Sequence, residues 1–158
     1  MDEELRRELL ARRDEDQRTR TAVPPPQGQY MVQLPDEVAA RWQRIDRDRL
    51  GDVLNGQGWP GRTLVGEDGA AAAWLLAQHA DRDPVRQRTF LQALRGAVDQ
   101  GEASEAHLAY LEDRVRVNAG LPQLYGTQFT VTDGVFGPWA IEDPQRLDKR
   151  RALSWATI

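Results

Sequence analysis

From Ala70 to Ala77 the chain reads Ala-Ala-Ala-Ala-Trp-Leu-Leu-Ala, with no polar residue among them. Alanine and leucine are strong helix formers. A helix that is apolar nearly all round has to be buried on every side. The segment 67–80 is therefore expected to be a central helix, and the remaining chain must jacket it. With 158 residues, the chain fits one domain by the prior of roughly 100–200 residues per domain. A domain of that size closes a core without disulfides or a structural metal.

The jacket is legible as further helices. Residues 2–20 place Glu3, Glu4 and Glu8 ahead of Arg7 and Arg12 at pairing distances, and Leu5 and Leu9 begin an apolar stripe. Continued at helical pitch, that stripe passes through Asp16 and Arg20, so a core-facing face ends in two charges. Residues 21–35 carry Pro24-Pro25-Pro26, Gly28 and Pro35, which makes them an extended connector inside the domain. A helix restarts at Pro35 or Asp36 and runs to about Asn55, with Val38, Trp42, Ile45, Arg49 and Val53 in line. Trp59-Pro60-Gly61 then opens a tight loop reaching Gly66.

Asp83-Pro84 has the N-cap and first-turn signature of a helix reaching about residue 100, striped by Phe90, Leu91, Leu94, Ala97 and Val98. Ser104 is placed to cap another, ending near Asn118 before Gly120. After it the pattern changes. Thr127 to Thr132 is rich in β-branched and aromatic residues, Asp133-Gly134 is a hairpin turn signal, and Val135 to Ile141 returns. Gly137-Pro138 weakens the second strand. Asp143-Pro144 opens a last helix to about Trp155. The expected fold is all-α over residues 1–158, five or six helices round the 67–80 helix, with a small C-terminal β-hairpin.

Composition excludes several chemistries. The net charge of −4 disfavours a non-specific nucleic-acid role. There are no cysteines, so no disulfide, thiolate metal site or cysteine nucleophile can form. No stretch of 18 apolar residues is present, and Met1-Asp2-Glu3-Glu4-Leu5-Arg6-Arg7 lacks the apolar core of a signal peptide. A cytoplasmic protein without a membrane role is expected. Lys149 is the single lysine among 21 basic residues, the pattern expected from the coding bias of a GC-rich bacterial genome.

The polar residues on apolar stripes are the candidates for chemistry. His79 ends the apolar helix, and Gln78 beside it shares the stripe of Ala71, Trp74 and Leu75. His79 is either a general base or acid, or a cap on the last carbonyls of the helix. Glu112 lies on the stripe of Leu108, Leu111 and Val115, and Asp113 on that of Ala106, Tyr110 and Val117, so at least one carboxylate faces inward. The competing reading is an ion pair with one of the many arginines. Asp16 and Arg20 either clamp a polar ligand, pair across the core with other charges, or stand at a frayed surface end of the helix. Tyr125 and Gln128 follow in a turn and offer both donors and acceptors. Trp59 adds a large aromatic side chain in its loop.

His79, His107, Glu112 and Asp113 are ligand types that zinc or iron accepts. No pair has the spacing of a His-x-x-x-His site, so no metal and no cofactor is expected. A Gly-x-Ser-x-Gly elbow and a Gly-rich phosphate loop are both absent.

The ordered strings GWPG, LVGEDGA, WLLAQHAD, LAYLEDR, LYGTQF and IEDPQRLDKRR resemble a widespread bacterial family of unknown function. The resemblance covers roughly residues 42–151, with Asp16 to Arg20. It matches the family pattern at Trp59, Pro60, Gln78, His79, Asp113, Arg114, Tyr125, Gly126 and Gln128, and leaves out His107 and the Pro24–Pro26 connector. It implies a shared polar site and favours Asp113 over Glu112, and it implies no particular reaction. Two functions are expected from these readings. One is an acid–base enzyme using His79, with Asp113 or Glu112 as partner, Tyr125 beside them, and Asp16, Arg20, Trp59, Gln78 and Gln128 holding a small polar or peptidic ligand. The other is a non-catalytic binding or accessory protein in which the same groups form a structural network.

Overall fold

A computed structural model describes residues 1–21 and 36–155. The described residues contain six α-helices, one two-stranded hairpin and a short 3-10 helix, in the order α1 (Glu3–Thr21), α2 (Asp36–Gln57), α3 (Arg62–Gln78), α4 (Pro84–Asp99), α5 (Glu105–Asn118), β1 (Phe129–Thr132), β2 (Val135–Pro138), the 3-10 helix Pro144–Arg146 and α6 (Leu147–Trp155). The Pro-rich connector expected at 21–35 lies outside the described residues apart from Thr21, which ends α1.

The apolar helix is the axis of the fold. α3 packs most extensively along α1, and it also contacts α2, α4 and α5. Val65, Ala72, Ala73, Leu76 and Ala77 are buried, against Leu5 and Leu9 of α1, Leu50 and Val53 of α2, Phe90 and Leu94 of α4, and Leu111 of α5. Small alanines let neighbouring helices approach closely, and the larger Leu and Phe side chains fill the space between.

The loop expected between Trp59 and Gly66 is largely helical. A turn begins at Arg62, breaks at Gly66 (φ 75°, ψ 170°), and resumes as the long arm of α3. The left-handed φ at Gly66 explains the break, since an L side chain is strained there. Glu102 closes the first turn by accepting from Thr63 N (2.7 Å) and Thr63 Oγ1 (2.6 Å). Gly61 fits under it closely: a Cβ there would come within 2.7 Å of Glu102 Cβ.

Asp83 caps α4 by accepting from Arg86 N at 3.0 Å. Ser104 occupies the N-cap position of α5, but its hydroxyl makes no capping bond. On α2, Val53 is buried as expected, whereas Ile45 is 37% exposed and Leu50 takes the core position. β1 and β2 pair antiparallel with Val131 opposite Phe136, and Asp133 and Gly134 turn the chain with φ of 52° and 79°. Both positive values suit the type I′ turn that matches strand twist. The strands are four residues each, shorter on both sides than expected. No helix among the described residues is long and apolar enough to cross a membrane.

Candidate functional site

The polar residues gather at the C-terminal end of α3. His79 is its C-cap residue, and the imidazole is mostly enclosed, with 17% of the side chain exposed. Its Nδ1 lies 2.7 Å from Asp16 Oδ2. Asp16 is buried because the apolar stripe of α1, which packs along α3, continues through it. Arg20, one turn further along α1, donates Nε to both Asp16 oxygens at 3.2 and 3.1 Å.

Burial pushes the His79 imidazole below its usual range, and Arg20 and Arg114 add to that; the Asp16 carboxylate opposes it without reversing it. Burial also works against ionisation of Asp16, but the bond to His79 and the charge of Arg20 hold its carboxyl below the ordinary value. The resulting state near neutral pH is an ionised Asp16 accepting from Nδ1–H of a neutral imidazole. That fixes the tautomer and leaves the Nε2 lone pair available. Among the described residues Nε2 has no hydrogen-bond partner.

A second network adjoins this pair. Arg114 grips Asp81 in two-pronged fashion, Nε to Oδ1 at 2.8 Å and Nη2 to Oδ2 at 2.6 Å, and its Nη1 donates to Gln128 Oε1 at 3.0 Å. Burial disfavours an ionised Asp81, yet Arg114 keeps its carboxyl below the ordinary range. Gln87, fully buried on α4, donates Nε2 to the carbonyls of Ala77 (3.2 Å) and Gln78 (3.1 Å) and to Asp81 (3.2 Å). Asn118 donates to Asp81 and to Gln87, each at 2.9 Å. The carbonyls of Ala77 and Gln78 at the end of α3 are thus satisfied by a single side chain from α4, the ordinary need of a buried helix end.

Asp113 faces inward from α5 and is completely buried, but it serves the following loop rather than His79. It accepts from Leu124 N (2.7 Å), Tyr125 N (3.0 Å), Thr127 N (3.0 Å) and Thr127 Oγ1 (2.9 Å). Gln128 Nε2 donates to the same Thr127 hydroxyl at 3.0 Å, which links Asp113 to Arg114 through one chain of bonds. Arg151 Nε donates to the Tyr125 carbonyl at 2.8 Å and Arg150 Nε to the Leu124 carbonyl at 2.8 Å, so α6 holds the loop from the other side. Glu112 points away and pairs with Arg95.

Of the residues singled out by sequence, the structure brings together His79, Asp16 and Arg20. Gln128 belongs to the adjoining Arg114 network and is linked through Thr127 to Asp113, which holds the loop that carries Tyr125. The residue against His79 is Asp16, where Asp113 or Glu112 was expected. Trp59 stands at the other end of α3, on the order of 20 Å away along a helix that rises 1.5 Å per residue. It lines a cavity of about 670 Å³ with Leu54, Leu64 and Ala97. His107 is also separate. Its ring stacks on Trp74 with centroids 4.1 Å apart, beside a cavity of about 350 Å³ shared with Arg62 and Glu67. Neither cavity is lined by His79. No three His, Asp or Glu side chains cluster as a metal site among the described residues.

Sequence reading missed Asp81, Gln87, Asn118 and Gln123. Gln87 carried a signal, since it sits three, four and seven residues before Phe90, Leu91 and Leu94 on their stripe. Gln123 carried none: it lies outside any helix, and it is buried because it bonds to Gln128 and Trp139 across the hairpin base. No curated protein and no solved structure matches the chain. The model for the family of unknown function DUF6624 matches residues 3–155, and the chain belongs to that family.

Proposed function

We propose that the end of α3 is the active site of an acid–base enzyme in which His79 is the general base and Asp16 its orienting partner. One observation carries this reading: Nδ1 of His79 is held at 2.7 Å by Asp16, while Nε2 has no hydrogen-bond partner among the described residues. A neutral imidazole locked in one tautomer can accept a proton at Nε2 from water or from an acidic group of a substrate. The ionised Asp16 then stabilises the imidazolium that forms. Such a base contributes roughly 10²–10⁴ in rate. The neighbouring polar groups suit a small polar or peptidic substrate, in a hydrolytic or proton-shifting reaction.

The test is a panel of ester, amide and α-proton-exchange substrates, run with His79→Gln and Asp16→Asn beside the wild type. Turnover should vanish in the first variant and fall in the second. Turnover that survives His79→Gln sinks the reading. Diethyl pyrocarbonate with peptide mapping provides a second readout: with Nδ1 held by Asp16, carbethoxylation of His79 requires a reachable, unprotonated Nε2.

A non-catalytic binding or accessory protein is the second reading. It is favoured by the completeness of the adjoining network, in which Asp81, Gln87, Arg114, Asn118 and Gln128 bond to one another and to the end of α3. Such a network stabilises a helix junction without needing chemistry. On this reading His79→Gln lowers the melting temperature and diethyl pyrocarbonate leaves His79 untouched.

A further inference from the structure

Resting on the acid–base reading of the same site, we infer that Arg20 is the anion-recognising group beside His79, and that the substrate carries a carboxylate or phosphate there. The two side chains share an anchor. His79 Nδ1 and Arg20 Nε both bond to Asp16 Oδ2, at 2.7 and 3.1 Å. Asp16 therefore fixes the guanidinium by its Nε edge alone. The terminal nitrogens, Nη1 and Nη2, have no partner among the described residues. Those two nitrogens form the fork that matches a carboxylate or phosphate in two parallel hydrogen bonds.

The contrast with Arg114 sharpens the assignment. Arg114 uses Nε and Nη2 on Asp81 and Nη1 on Gln128, so its fork is spent inside the protein. Its charge still acts on His79, as does that of Arg20. Arg20 is only partly exposed, at 22% of the side chain, and sits one helical turn from its anchor. Its fork is thus pre-oriented rather than free to sample solvent, which lowers the cost of binding an anion. An anionic group seated on it places the rest of a substrate beside the imidazole, whose Nε2 has no partner among the described residues.

Nuclear magnetic resonance of the full chain tests this at constant ionic strength. The Arg20 Nε–H and the His79 ring resonances are followed while inorganic phosphate, or separately acetate, is added. A saturable shift of both signals in the wild type is expected with at least one of the two anions, and the stronger responder identifies phosphate or carboxylate as the group preferred. His79 resonances should lose that response in Arg20→Gln, and Arg20→Lys should weaken it by about tenfold, because a point charge replaces the fork. Arg95→Gln, on the surface, should leave it intact. No saturable shift in the wild type, or an equal response in Arg20→Gln, overturns the inference. His79→Gln separates the two readings: it ends proton transfer but should keep the anion-induced shift of Arg20 Nε–H.

Discussion

His79 and Asp16 meet through a 2.7 Å contact between side chains 63 residues apart in sequence. The contact joins the end of α3 to the last turns of α1, the two helices that pack most extensively in the fold. It gives the imidazole a defined tautomer in a mostly enclosed position, where burial lowers its proton affinity.

A pH dependence of stability follows from that shift. The folded His79 binds its proton less readily than the unfolded chain does, so the unfolded state takes up more protons as pH falls. The contribution is fully present above the ordinary histidine value of about 6.5 and is lost as pH drops through the folded value below it. Melting temperature should fall on going from neutral to mildly acidic pH, and His79→Gln should make that limb shallower, leaving the share of His107, whose proton affinity burial also lowers. A second loss, from Asp16, belongs below its ordinary range near pH 4, because its folded carboxyl is held low. Thermal melts over pH 3 to 8 check both.

Asp16→Asn removes a neighbour that raises the His79 proton affinity, while burial, Arg20 and Arg114 continue to lower it. The His79 ring should therefore titrate at a still lower pH in the variant. A titration followed by the ring proton resonances decides it, and an upward move would contradict the Asp16 contact.

Asp113→Ala leaves the donors of Leu124, Tyr125 and Thr127 without their acceptor. A buried, charge-assisted cluster of this kind is worth about 3 kcal/mol or more on removal. Urea unfolding should show a loss of that order. Hydrogen exchange should accelerate first at the amides of Leu124, Tyr125 and Thr127.

Gln87→Leu preserves volume but deprives the Ala77 and Gln78 carbonyls, Asp81 and Asn118 of a partner. A destabilisation of about 2 kcal/mol is expected. Calorimetry checks the magnitude. Gln92→Leu, at an exposed position of the same helix, should cost far less.

Gly66→Ala forces a side chain onto a φ of 75°, with the new Cβ 3.2 Å from Asp68 Oδ1 and 3.4 Å from Arg6 Nε. At φ 75° and ψ 170° the backbone lies in a region essentially confined to glycine, which costs an L residue about 1–3 kcal/mol. The melting temperature should drop accordingly, and the Arg6–Asp68 pair should loosen.

The sequence by itself determined the helical frame and much of the polar inventory. Eight apolar residues from Ala70 to Ala77 demand a buried helix, and Asp83-Pro84, Gly120 and Asp133-Gly134 mark local starts, stops and turns. These are short-range effects of backbone geometry and periodicity, so they are readable in one dimension. The inward placement of Asp16 was legible for the same reason, since it continues the stripe of Leu5 and Leu9. Which groups meet was decided only by tertiary packing. Asp16 reaches His79 because α1 lies along α3, whereas Asp113 and Glu112, both on α5, are taken by the 124–127 loop and by Arg95. Helical periodicity fixes the face on which a carboxylate stands. The partner it finds depends on the crossing of elements far apart in the chain, where burial forces each polar group to satisfy its hydrogen bonds with whatever donor packing has brought near.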